Sequence, residues 1–134
     1  MTGLRLIDTS VWIRALGSSA VPAVRNLVAS LVEKREAAVC APVAFELLRG
    51  VPDKRQSDEL LDYLSSLQSL PVDWVGAARW SSEPAVRRLK VKSMDLLIAH
   101  TALANSAVLL HADSDFDRLA RATELKAENP LKPS

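Results

Sequence analysis

Short apolar runs alternate with longer stretches of helical periodicity along this chain, and that alternation sets the expected fold. Leu4 to Ile7 reads as a short buried strand. Asp8, Thr9 and Ser10 form the turn into a helix, with Thr9 or Ser10 expected to accept a bond from an early helical amide. Val24, Leu27, Val28, Leu31 and Val32 recur at helical spacing and predict a helix from about Ala23 to Lys34. A second strand is expected at Ala37 to Cys40. The helix after it opens with Pro42, whose missing amide donor is tolerated in a first turn, and closes at Gly50 and Pro52. Leu60, Leu61, Leu64 and Leu67 form the apolar stripe of a helix over Ser57 to Leu67. Pro71 to Trp74 is expected as a brief strand or extended connection. Helices follow at about Val75 to Lys90, interrupted near Pro84, and at Met94 to Ala104. A strand at Val108 to Leu110, a short helix at Phe116 to Ala122 and an edge strand within Glu124 to Glu128 complete the pattern.

Strands this short and apolar, separated by helices, predict an α/β fold with a parallel sheet covered on both faces. The 134 residues suffice for one domain, expected over 1–134 with 129–134 as a frayed tail. No repeat, low-complexity tract or long linker interrupts it. A hydrophobic content of 49% with 25% charged residues fits a globular protein rather than a disordered one. The single Cys40 excludes an internal disulfide, and no leader or membrane span is visible, so a cytoplasmic location is expected.

Net charge is only +1, but it is unevenly spread. Arg79, Arg87, Arg88, Lys90 and Lys92 face a single acid, Glu83, in the same segment. A solvated helix face accounts for such a segment alone, whereas an adjoining acidic site makes a phosphate backbone the better partner.

Four carboxylates stand against apolar runs: Asp8 after Leu4 to Ile7, Glu46 within Val43 to Leu48, Asp95 before Leu96 to Ala99, and Asp113 after Ala107 to Ala112. Burying an ionised carboxylate is costly unless something positive compensates it. Asp8 and Asp113 each follow a predicted strand, where functional groups of an open α/β sheet collect. Glu46 lies one helical turn past the second strand, and Asp95 near a helix N-terminus that favours negative charge. Taken singly, each has an ordinary explanation: a cap for Asp8, an ion pair with Arg49 for Glu46, a dipole partner in Asp95, a turn residue in Asp113. Four at one sheet edge point instead to a metal ion. Oxygen-only ligands select Mg²⁺ or Mn²⁺, and such a site suits phosphodiester hydrolysis by an activated water.

Leu6 to Trp12, Pro42 to Gly50, Asp95 to Ala99 and Ala112 to Phe116 resemble the successive motif blocks of PIN-domain ribonucleases. Their order and the chain length are most similar to VapC toxins of VapBC toxin–antitoxin systems. The resemblance spans Leu4 to about Glu128 and implies a three-layer α/β/α sandwich and an Mg²⁺- or Mn²⁺-dependent endoribonuclease. It maps the metal-binding and catalytic acids onto Asp8, Glu46, Asp95 and Asp113, with Asp115, Thr9 and Ser10 as accessory residues. RNA is the implied substrate, with Arg79, Arg87, Arg88, Lys90 and Lys92 as its expected backbone contacts. A homodimer and a VapB-like antitoxin are the implied partners. The antitoxin is expected in a hydrophobic groove between the Phe45 to Leu48 helix and the Leu60, Leu61, Leu64, Leu67 stripe. Two positions depart from the pattern: His111 stands where Thr is usual, and Asn105-Ser106 replaces a usual Gly. The competing readings are a catalytically inactive binding module and a phosphohydrolase acting on DNA or a small phosphate ester.

Overall fold

The computed structural model describes residues 3–132. Five parallel strands, β1 (Arg5–Ile7), β2 (Ala37–Val39), β3 (Gln68–Ser69), β4 (Val108–Leu110) and β5 (Ala127–Glu128), form one sheet in the order β3-β2-β1-β4-β5. Around it lie α1 (Thr9–Ala15), α2 (Pro22–Glu33), α3 (Ala41–Arg49), α4 (Lys54–Ser65), α5 (Trp74–Ser81), α6 (Pro84–Arg87), α7 (Ser93–Ala104) and α8 (Ser114–Ala122). This is the α/β sandwich expected from the alternation of runs.

The core explains why such short strands suffice. Leu6, Ile7, Ala38 and Leu109 are completely or almost completely buried, and Trp12, Val43, Ile98, Phe116 and Leu119 cover them from the helices. β2 adds the buried Ala37 and Ala38 to this core. Registry runs Arg5 to Val108, Leu6 to Leu109 and Ile7 to Leu110. The Asp8 amide extends it by donating to Leu110 O at 2.9 Å.

The chain leaves the central β1 toward β2 and β3, then returns to the opposite side as β4 and β5. Strand order therefore reverses between β1 and β4, and a crevice opens beyond their carboxyl ends. Asp8 and Asp113 follow those two strands, so topology alone delivers both acids to one place.

Local differences from the sequence expectations have identifiable causes. The third strand lies at Gln68–Ser69, and Pro71 to Asp73 is the connection from it into α5, the second of the two forms expected there. Leu70 N still pairs with Val39 O at 2.8 Å, and the ladder stops there because β2 ends at Val39 and turns into α3. Asp53 and Asp73 cap α4 and α5 through Gln56 N and Gly76 N, starting both helices earlier than the apolar pattern indicated. At the end of α7 the left-handed residue is Ser106 (φ 55°), not Asn105. Asn105 instead donates through Nδ2 to Thr101 O and Pro71 O, at 2.8 and 3.1 Å. Within the expected tail, Asn129 to Lys132 folds as a turn and Lys132 Nζ meets Asp117 at 2.8 Å, while Pro133 and Ser134 lie outside the described residues. No described helix is long and apolar enough to cross a membrane.

Candidate active site

Asp8 follows β1 and caps α1. Its carboxylate accepts from Ser10 N at 3.0 Å, so the cap belongs to Asp8 itself rather than to Thr9 or Ser10. Only 4% of Asp8 is exposed. Burial pushes its pKa upward, opposed by the bonds from Ser10 and reinforced by nearby Glu46. The Ser10 hydroxyl donates to the same Asp8 oxygen and accepts from Ala112 N at 2.9 Å. One side chain thus staples the turn after β1 to the turn after β4. Thr9 makes a second link by donating through Oγ1 to Glu46 Oε1 at 2.6 Å, which fixes α3 against α1. Glu46 is therefore held by Thr9, not by the ion pair with Arg49 that its spacing suggested.

On the other side of the crevice, Asp113 caps α8 by accepting from Asp115 N at 2.9 Å. Asp95 projects from the first turn of α7. One carboxylate oxygen from each of Asp95, Asp113 and Asp115 lies within 4.8 Å of the other two. Asp95 is raised to about 6, first by burial and then by repulsion from Asp8, Asp113, Glu46 and Asp115. All five acids therefore share one electrostatic neighbourhood. They divide into a triad on α7 and α8 and a pair, Asp8 and Glu46, held by hydroxyls of α1. Asp115 enters the triad beside two of the four acids singled out from sequence, and Asp8 and Glu46 lie outside it.

His111 is fully buried. Its Nδ1 accepts from Asp113 N at 3.1 Å, so the neutral ring carries its proton on Nε2. That nitrogen lies 3.3 Å from Asp117 Oδ1 without hydrogen-bond alignment. Burial holds the imidazole below its usual pKa despite the acids around it. His111 thus orients the backbone of Asp113, packing against Phe116 with ring centroids 5.3 Å apart.

Arg118, one residue that the sequence reading passed over, touches this centre. Its Nη2 donates to Asp115 Oδ1 at 2.8 Å and its Nη1 to Leu89 O at 2.9 Å. The i,i+3 spacing from Asp115 was the available signal. Arg79, Arg87, Arg88, Lys90 and Lys92 are all exposed, and among the described residues none forms an ion pair. They occupy α5, α6 and the connection ending at Lys92, the N-cap of the helix that bears Asp95.

A groove of about 770 Å³ opens beside Glu46. Trp12 and Ile13 of α1, its C-cap Leu16, Leu47 of α3, and Leu60 and Tyr63 of α4 line it. Ile13 and Leu16 are 61% and 37% exposed. The groove differs from the one anticipated. Leu64 turns into the core and Leu67 packs against it, so α1 replaces them as a wall.

The PIN domain family profile matches residues 5–122. Ribonuclease VapC11 of Mycobacterium tuberculosis is 39% identical over 130 residues, covering 91% of this chain and 96% of that protein. VapC ribonuclease Mb1587 of Mycobacterium bovis matches equally, at 39% identity over the same shares. Among solved structures, VapBC2 from Rickettsia felis bound to a promoter DNA fragment aligns with a TM-score of 0.74 and 24% identity, over 94% of this chain and 98% of that one. DNA-bound VapBC from Salmonella typhimurium gives 0.75 at 15% identity, over 98% and 100%. These two structural likenesses concern the fold.

Proposed function

We propose a function from one premise: the chain belongs to the PIN-domain family and, within it, to the VapC ribonucleases. It is the toxin of a toxin–antitoxin pair and hydrolyses phosphodiester bonds of RNA. The carrying observation is the carboxylate triad, whose member Asp95 is raised to about 6 by burial and by four neighbouring acids. Such crowding is relieved by a divalent cation, and an all-oxygen donor set suits Mg²⁺ or Mn²⁺.

Asp95, Asp113 and Asp115 would hold the ion, with Asp8 and Glu46 beside it. When bound, it supplies Lewis acidity toward a phosphoryl oxygen and lowers the pKa of a water. The remaining work belongs to the chain. Ser10 and Thr9 hold Asp8 and Glu46 in fixed orientations, and His111 fixes the Asp113 backbone. To Asp8 and Glu46 we assign the role of orienting an attacking water and taking up its proton. The exposed cations from Arg79 to Lys92 would carry the RNA backbone toward α7, as salt-sensitive phosphate contacts.

The antitoxin is assigned to the groove of Trp12, Ile13, Leu16 and Leu60, which suits the apolar face of an amphipathic helix. Its edge at Glu46 would let a bound antitoxin segment reach the acids. A homodimer and a cytoplasmic location complete the proposal. Free, buried Cys40 is consistent with the latter, and sedimentation of the purified chain would test the former.

Purified protein and its Asp95→Asn variant should be incubated with labelled RNA and with labelled DNA, each with Mg²⁺ or EDTA. Cleavage of RNA by the unmodified protein in Mg²⁺ alone is expected. Cleavage of DNA only, or RNA cleavage that persists in EDTA or in the variant, would overturn the assignment.

A further inference from the structure

We propose that Arg118 is a positioning residue that braces the carboxylate triad by clamping the connection before α7 onto α8. The inference rests on reading Asp95, Asp113 and Asp115 as ion-holding residues, and concerns how their spacing is maintained.

Asp113 and Asp115 belong to α8 and its cap, so their separation is set locally by the Asp115 N to Asp113 Oδ1 bond. Asp95 comes from a different helix, and something must hold α7 to α8 at this end. The start of α7 has no such device of its own, because its N-cap is Lys92 and makes no side-chain capping bond. Just before it, Lys90 adopts a left-handed conformation with φ 55°, which a residue with a Cβ adopts only at an energetic cost. Repulsion among the acids also pushes the two helix ends apart.

Arg118 opposes both tendencies. One arm of its guanidinium donates to Asp115 Oδ1 at 2.8 Å and the other to Leu89 O at 2.9 Å. Leu89 directly precedes Lys90 and lies six positions before Asp95. A single planar fork therefore ties one member of the triad to the backbone leading to another. Both bonds need the two-armed geometry; a lysine ammonium is a point donor on a flexible stem.

The brace and the charge of Arg118 predict opposite outcomes, which makes the idea decidable. As a mere positive charge, Arg118 repels a cation, and its removal would tighten ion binding. As a brace, its removal lets the triad spread and weakens binding. Loss of a group that orients metal ligands typically lowers affinity about 10- to 100-fold.

The test is a Mn²⁺ titration of the full chain, reading free Mn²⁺ by electron paramagnetic resonance, for the unmodified protein, Arg118→Ala, Arg118→Lys and Asp95→Asn. Hydrogen exchange of segment 88–94 is measured in parallel in EDTA. Both Arg118 variants should bind Mn²⁺ at least about tenfold more weakly and exchange faster over 88–94 without metal, while melting cooperatively. Unchanged or tighter binding in Arg118→Ala would overturn the brace, as would full rescue by Arg118→Lys. Should the alanine variant fail to fold, the lysine variant decides alone. Equal Mn²⁺ affinity in Asp95→Asn and the unmodified protein would overturn the ion-holding reading itself, and the brace with it.

Discussion

Asp95→Asn should stabilise the metal-free protein while abolishing its activity, and the size of that gain follows from the crowding around Asp95. An Asp raised from 3.8 to about 6 keeps its proton more tightly in the folded state than in the unfolded chain. Between those two values the native protein binds more protons than the unfolded one, so this group makes stability fall as pH rises. The cost is complete above about 6 and absent below 3.8. Its magnitude at neutral pH is at most about 3 kcal/mol, and solvent screening at this half-buried group reduces it to roughly 1.5 kcal/mol. The asparagine is nearly isosteric and removes it, although losing a carboxylate in the first turn of α7 forfeits about 0.3–1 kcal/mol of helix-dipole interaction. A net gain of about 1 kcal/mol remains, equivalent to a melting temperature higher by some 2–4 °C.

The assay is thermal and urea unfolding of both proteins at pH 7.5 and pH 4, in EDTA and in Mg²⁺. In EDTA the variant should lead by about 1 kcal/mol at pH 7.5, and that lead should close toward pH 4. Mg²⁺ at about 100 times its dissociation constant should raise the unmodified protein by about 2.7 kcal/mol and leave the variant nearly unmoved. A variant that is less stable than the parent in EDTA at pH 7.5 would refute the crowding argument. Equal protection of the two proteins by Mg²⁺ would refute the placement of the ion.

Other expectations can be checked on the same preparation. Ser10→Ala leaves Ala112 N without its acceptor and releases Asp8, so unfolding in urea should show a loss of about 1–3 kcal/mol together with slower RNA cleavage. Ile98→Ala opens a cavity under the fully buried face of α7 and should cost about 2–5 kcal/mol by the same measurement. Ile13→Asp alters a residue that is 61% exposed in the groove, so calorimetric titration with the cognate antitoxin should weaken at least about tenfold while RNA cleavage stays intact.

The division between what the sequence disclosed and what it hid follows the range of the interactions involved. Strand ends carrying Asp8 and Asp113 were legible because period and burial are written locally, and one topological rule then places both at the same crevice. The third strand stayed hidden, since two paired residues leave almost no periodic signal. In the groove, the leucine stripe of α4 pointed to a helix face correctly but could not say which leucines the core would claim; Leu64 is buried and Leu61 is 47% exposed. The same limit shaped the site. Acids could be grouped by their apolar surroundings, yet their partition depended on contacts spanning the chain: Thr9 with Glu46, Ser10 with Ala112, Arg118 with Leu89. Each of these is a polar side chain of ordinary appearance in sequence. Residues that bear charge into an apolar run announce themselves by their cost, whereas residues that hold them in place become visible only when both ends of the bond are seen. The two hydroxyls and Arg118 accordingly make the stricter test of the proposed centre, because their substitution leaves every acid in place and changes only the geometry.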